Sequence, residues 1–200
     1  MKPMIKYRGG KSKEINHFLK YIPQFSGRYI EPFLGGGALF FYLEPERSII
    51  NDINTRLISF YRGVANQFDL LQEELTRVEA IYTRNRQEFD ILKKQNPHKK
   101  VEDKNEALYY QIRDMYNGLI PSEYSDAFLY YFINKTAYSG MIRFNAKGEF
   151  NVPYGRYKNF CTNKVTKQHS DLLRHTEIHN GDYQDIFNVT NPDDFIFLDP

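Results

Sequence analysis

"RYIEPFLGGGALFFYLEPERSIINDIN", Arg28 to Asn54, decides how this chain folds. "RYIEPF" (Arg28 to Phe33) reads as a strand, and glycines follow at once. "GGGALFFYL" reads as a loop opening into a helix, and "SIINDIN" (Ser48 to Asn54) as a second short strand ending in polar residues. Strand, glycine turn, helix, strand and an acidic residue at the strand end together make the first βαβ unit of an open, Rossmann-like α/β sheet. Further on, "TEIHNGDY" (Thr176 to Tyr183) and "DFIFLDP" (Asp194 to Pro200) return to strand character, so the sheet resumes there.

Between the two sheet portions the pattern is helical. Leu57, Tyr61, Val64, Phe68, Leu71, Leu75, Val78 and Tyr82 step by fours and threes along one apolar stripe of helix, broken or continuous. A charged stretch, "KKQNPHKKVEDKNE", separates it from helical patterns at Ala107 to Tyr116 and Phe128 to Ala137. "MIRFNAKGEFNVPYG" (Met141 to Gly155) reads as a β-hairpin, two alternating arms around "NAKG" with Gly148 suited to a left-handed turn position. Near the start, Ile15, Phe18, Leu19 and Ile22 have helical spacing and Pro23 ends the run. The expected organisation is a sheet domain of residues 1–56 and 163–200, interrupted by a helical domain of residues 57–162 that carries the hairpin 141–155.

The 200 residues, 41% of them apolar, allow a real core, and no run approaches the length of a membrane span. "MKPMIKYRGGKSKE" lacks the apolar centre of a secretory signal, and the lone Cys161 can form neither an internal disulfide nor a multi-cysteine metal site. A soluble cytoplasmic protein without a metal is expected. The net charge of +2 hides an uneven distribution. Met1 to Lys13 holds five basic residues and no acidic one, and Lys135 to Lys167 holds seven against Glu149 alone. Localised positive charge in a balanced chain is the footprint of a polyanion partner.

"GGKS" (Gly9 to Ser12) is not a nucleotide-triphosphate loop, because Ile5 stands where that pattern needs glycine. "GGGALF" has Phe40 in place of the third glycine of the dinucleotide fingerprint, which weakens an NAD reading. A ligand can still lie against the bare turn at Gly35 and Gly37, since glycines admit close approach and positive φ. Asp52 would then accept hydrogen bonds from the two hydroxyls of a ribose and would repel a pyrophosphate. S-adenosylmethionine, a nucleoside without phosphates, fits best; the plainer alternative is a tight turn and a helix-capping Asp. If the reaction is methyl transfer to an exocyclic amine, Asp199 at the end of a central strand can accept one N–H. The carbonyl of Pro200 can accept the other, which aims the nitrogen lone pair at the methyl group.

"KYRGGK", "EPFLGGGALFF", "NDIN", "GEFNVPYGRYK" and the terminal "DP" together resemble the DNA adenine-N6 methyltransferases of the Dam and DpnII type. The resemblance spans essentially the whole chain. It implies that Tyr7, Lys11, Phe33, Gly35, Gly37, Asp52, Asp182 and Asp199 hold S-adenosylmethionine, with Asp182 meeting the adenine of the cofactor. It implies an adenine-specific methyltransferase that flips its target base out of double-stranded DNA, at GATC or a related site, and a restriction endonuclease as a candidate partner. In the hairpin region Arg143 matches a guanine-reading arginine and Tyr138 a wedge into the base stack. Asn145, Asn151 and Arg156 match phosphate contacts, Ser139 and Pro153 lie at the same surface, and Lys6 sits near the flipped base. Tyr7 replaces a common tryptophan, Arg8 a smaller residue, and Ser139 a common asparagine. The family motif continues as Asp-Pro-Pro-Tyr, so the stop at Pro200 is expected to truncate a larger enzyme, and residues 1–200 alone to be inactive. Methyltransferases of RNA or of glutamine amides, and a non-catalytic DNA-binding fragment, are the alternatives.

Overall fold

The computed structural model describes residues 1–200, which form two compact units: Met1–Phe68 with Lys164–Pro200, and Asp69–Asn163. The first unit contains α1 (Ile15–Phe18) and a 3-10 turn, β1 (Tyr29–Glu31), α2 (Ala38–Leu43), β2 (Ser48–Asn51) and α3 (Thr55–Asn66). After the second unit come α7 (Lys167–Arg174), β3 (Thr176–His179), α8 (Tyr183–Phe187) and β4 (Phe195–Ile196). The second unit holds α4 (Phe68–Gln95, its first residue still in unit one), α5 (Lys104–Tyr116) and α6 (Asp126–Thr136).

All four strands run parallel in the order β3-β2-β1-β4. Tyr29, Ile30 and Glu31 are all buried, as are the four residues of β2, so these central strands do not alternate. That is the pattern of a parallel sheet covered on both faces. Ile30, Ile49 and Ile186 form one apolar cluster, with Ile196 packed against it. The chain leaves β1 toward β2 on one side and returns from β3 to β4 on the other. The strand order therefore reverses between β1 and β4, and open sheets of this kind bind ligands at the carboxyl ends of such a pair.

The start of β4 is locked to the start of β1. Gly27 N donates to Asp193 O at 2.9 Å, Arg28 N to Asp194 Oδ1 at 2.7 Å, and the Arg28 guanidinium to Asp194 Oδ2 at 2.8 Å. The Arg28 partner holds the Asp194 carboxyl at about 2, well below the usual range. A Cβ on Gly27 would lie 2.4 Å from Asp193 O. Gly27→Ala is therefore expected to cost about 2 kcal/mol or more of stability, read as a lowered urea midpoint.

One expected boundary moves. The apolar stripe from Leu57 to Tyr82 is not one helix, because Gln67 leaves the helical region at φ −131° and ψ 34°. Leu57, Tyr61 and Val64 lie on α3, which packs against α7 and β3, so the first unit extends to Phe68 and not to residue 56. Leu71, Leu75, Val78 and Tyr82 on α4 bury into the second unit. There α6 is buried from Ala127 to Asn134, the arrangement of a central helix. Its N-terminus is capped by Ser125, which the buried Glu74 holds through Ser125 N at 2.7 Å and Ser125 Oγ at 2.6 Å.

The hairpin is present but irregular. Phe144 pairs antiparallel with Phe150 and Ala137 with Tyr154 as isolated bridges, and Gly148 takes the left-handed turn position at φ 77°. A continuous ladder fails for a chemical reason. The Asn145 side chain accepts from the backbone N–H groups of Lys147 (2.9 Å) and Glu149 (3.0 Å), competing with strand pairing. Pro153 has no N–H to offer.

Candidate active site

A cavity of about 290 Å³ opens at the carboxyl ends of β1 and β4. Tyr7, Lys11, Phe33, Gly35, Gly37, Asp52, Asp199 and Pro200 all line it. Seven of the eight residues expected to hold the cofactor thus come together, with both residues expected at the chemistry. Asp182 does not line it; its side chain caps α8, accepting from Gln184 N at 2.8 Å. Its neighbour Tyr183 packs on Phe33 at 5.0 Å between ring centres.

The turn after β1 is built for close approach. Gly35 and Gly37 have φ of 49° and 64°. A Cβ on Gly35 would lie 2.8 Å from the Tyr7 ring, and one on Gly37 2.9 Å from the Phe41 ring. Leu34 N donates to Asn51 O at 2.9 Å and Tyr61 O–H to Gly35 O at 2.8 Å, so both strands and α3 hold the turn. Asp52 serves this turn directly. Its Oδ2 accepts from Gly35 N and its Oδ1 from Asn54 N, each at 2.9 Å. Both bonds use lone pairs of a carboxylate that has about four acceptor sites, so acceptors remain for a diol.

The Lys11 ammonium reaches Asp199 Oδ1 at 3.1 Å, and this contact raises the Lys11 pKa. Gly9 and Gly10 line the same cavity. Phe197 closes one wall, stacked on Phe18 at 5.7 Å.

Sequence reading missed Glu31. It lines the cavity at the end of β1, is 3% exposed, and accepts from Tyr29 O–H at 2.7 Å. Burial pushes its carboxyl up to about 8, and the neighbouring Asp199 adds to the rise. The available signal was an acidic residue within the strand "YIE". The folded chain holds this proton more tightly than the unfolded one. Its contribution to stability is therefore full below the ordinary carboxylate range and is lost as pH rises to about 8. Glu31→Gln is expected to flatten the fall in melting temperature between pH 4.5 and about pH 8. An unchanged slope would remove this account of the buried carboxyl.

The residues expected at DNA lie elsewhere. Lys6 is exposed in the first unit. In the second, Tyr138 is 57% exposed although aromatic, its N–H donates to Pro153 O at 2.9 Å, and Ser139 beside it has φ 55°. Arg156 also has positive φ, at 54°, and its guanidinium is 3.6 Å from Glu106. Asn145 is engaged within the turn, its amide nitrogen donating to Glu149 Oε2 at 2.9 Å. Arg143 Nε donates to Asn151 Oδ1 at 2.8 Å. Sequence reading also missed Asn117 and Tyr109, which anchor the hairpin. Asn117 brackets Phe150 through its carbonyl oxygen (2.7 Å) and its amide nitrogen (3.0 Å), and Tyr109 O–H donates to Val152 O at 2.7 Å.

No three His, Cys, Asp or Glu side chains gather in a metal-ligating arrangement, and no helix is long and apolar enough to cross a membrane. Among known proteins, the chain is 36% identical to the type II methyltransferase M.MjaIII of Methanocaldococcus jannaschii, covering all of this chain and 68% of that protein. It is 33% identical to the type II methyltransferase M.CviBI of Paramecium bursaria Chlorella virus NC1A, with the same coverage. To the DNA adenine methylase of Haemophilus influenzae it is 28% identical over all of this chain and 63% of that one. The chain thus spans about two thirds of the length of these relatives. The family model of the D12 class N6 adenine-specific DNA methyltransferases matches residues 7–200. With that match over nearly its full length, the chain belongs to the D12 class N6 adenine-specific DNA methyltransferases.

Proposed function

We propose that this protein transfers a methyl group from S-adenosylmethionine to N6 of an adenine flipped out of duplex DNA, at GATC or a related short site. The observation that carries the reading is one cavity, at the reversal point of a parallel sheet, lined by the glycine turn, Asp52 and Asp199. The residues fit the cofactor. The bare turn at Gly35 to Gly37 leaves room that side chains would fill, and the Asp52 carboxylate suits a diol. When bound, the cofactor supplies an electrophilic methyl group on a sulfonium.

The protein's part is orientation and hydrogen bonding. Tyr7 and Phe33 offer apolar faces, and Asp52 holds the sugar. Lys11, whose ammonium lies beside Asp199, would hold the carboxylate of the cofactor. Asp199 and the Pro200 carbonyl then accept the two N–H bonds of the adenine amine, so that its lone pair faces the methyl group rather than the ring. Asp182, outside the cavity lining, is proposed to meet the adenine of the cofactor at the rim. Adenine N6 is hidden in the base pair, and extrusion costs a few kcal/mol. The exposed Tyr138, fixed through its own N–H, suits a wedge that offsets this cost. Arg143 reads a guanine, Ser139 and Pro153 lie at the same DNA surface, Arg156 contacts phosphate, and Lys6 lies near the extruded base.

We further propose that a restriction endonuclease accompanies the enzyme in the cytoplasm. The test is transfer of labelled methyl from S-adenosylmethionine, by the protein as encoded, to duplexes with and without GATC. Label confined to the GATC duplex is expected. Equal labelling of both removes the site, and none on any DNA removes the activity.

A further inference from the structure

The geometry points to Asn151 as a positioning residue for Arg143, holding its guanidinium ready to read a base rather than touching the phosphate backbone itself. This rests on the guanine-reading role given to Arg143 above. Two residues of the second hairpin arm are fixed from beneath: Phe150 by the Asn117 amide and Val152 by Tyr109 O–H, with both side chains buried. Asn151 lies between them, and alternation along the arm turns its side chain to the opposite, outer face. Directly across, Asn151 N donates to Arg143 O at 3.1 Å, which fixes the backbone of the arginine as well.

The side-chain bond is specific about which nitrogen it uses. Arg143 donates through Nε to Asn151 Oδ1 at 2.8 Å, and only a long 3.4 Å contact joins its Nη2 to Asn151 O. Bidentate recognition of guanine needs two adjacent donors in one plane. With Nε occupied, the two terminal nitrogens form that edge, and the long contact yields easily. A free arginine explores many rotamers and loses them on binding; one already held by Asn151 loses less. A phosphate contact would use the amide N–H of Asn151, whereas the bond to Arg143 uses its carbonyl oxygen.

The two roles use different atoms of the side chain, Oδ1 for Arg143 and the amide N–H for phosphate, so substitutions separate them. Asn151→Asp keeps an acceptor for Nε and adds a charge that phosphate would repel. Asn151→Leu keeps the size and removes the acceptor. We would measure kcat/KM of the protein as encoded on its best duplex and on every duplex with one base pair changed. Wild type, Arg143→Ala, Asn151→Leu, Asn151→Asp and the Arg143→Ala/Asn151→Leu double variant would be compared at several salt concentrations. Asn151→Leu is expected to lose discrimination about tenfold, at the base pair where Arg143→Ala loses it, and to add little in the double variant. Asn151→Asp is expected to keep most of that discrimination. A phosphate contact would instead appear as a uniform loss on all duplexes with a shallower salt slope for Asn151→Leu and a severe loss for Asn151→Asp. That pattern, or additive effects in the double variant, overturns the proposal. If Arg143→Ala alone leaves discrimination intact at every base pair, the guanine-reading role fails, and the positioning role fails with it.

Discussion

Asp199→Ala is expected to lower methyl transfer to DNA by about a thousandfold or more, the scale at which a preorganised partner of the reacting group acts. The amine of adenine is a weak nucleophile because its lone pair is delocalised into the ring. A carboxylate that accepts an N–H as the nitrogen turns pyramidal helps the transition state more than the ground state, so the loss falls on kcat. Asp199 stands in the cavity with Lys11 3.1 Å away. Asp199→Asn keeps one acceptor oxygen but loses the negative charge and the ion pair with Lys11, so a loss smaller than that of Asp199→Ala is expected. Pre-steady-state transfer of labelled methyl separates this loss from weaker cofactor binding. A full-rate Asp199→Ala enzyme would contradict the mechanism.

Arg143→Ala is expected to change choice of site rather than chemistry. A bidentate arginine to guanine contact is worth about 1–3 kcal/mol, so discrimination at one base pair should fall by roughly five- to 150-fold. Arg143 belongs to the second unit and does not line the cavity, so the single-turnover rate on saturating best duplex should change far less. Rates on a panel of duplexes carrying single base-pair changes give the result. A uniform loss over the panel would mean that Arg143 holds phosphate, not a base.

The βαβ unit was legible because its signals are local. A strand, three glycines, a helix and an acidic strand end sit within Arg28 to Asn54, and the structure keeps them in that order. Most of the cavity lining followed, because carboxyl ends of neighbouring strands meet wherever a parallel sheet forms. The break at Gln67 was not legible, since the apolar spacing runs on through it and no proline or glycine marks it. Only the packing of α3 on α7 and β3, set by residues about a hundred positions away, separates the two helices.

Side-chain duties were harder still to read. An acidic residue at a strand end can meet a ligand, hold a turn or cap a helix. Asp52 holds the turn at Gly35 while lining the cavity, and Asp182 caps α8. Asn145 looks like a surface contact in sequence, yet its amide bonds organise the hairpin turn. Glu31 escaped because its raised pKa arises from burial in the folded chain and from the charge of Asp199, far away in sequence.

The most direct test of the shared cavity as a methyl-transfer site is the identity of the product. The protein as encoded, S-adenosylmethionine and duplex DNA would be incubated, and the DNA digested and its nucleosides resolved by mass spectrometry. The account predicts N6-methyladenosine in its deoxy form, absent when Asp199 is replaced by alanine. A methylated cytosine as the product, or N6-methylated adenine made undiminished without the Asp199 carboxylate, would contradict it.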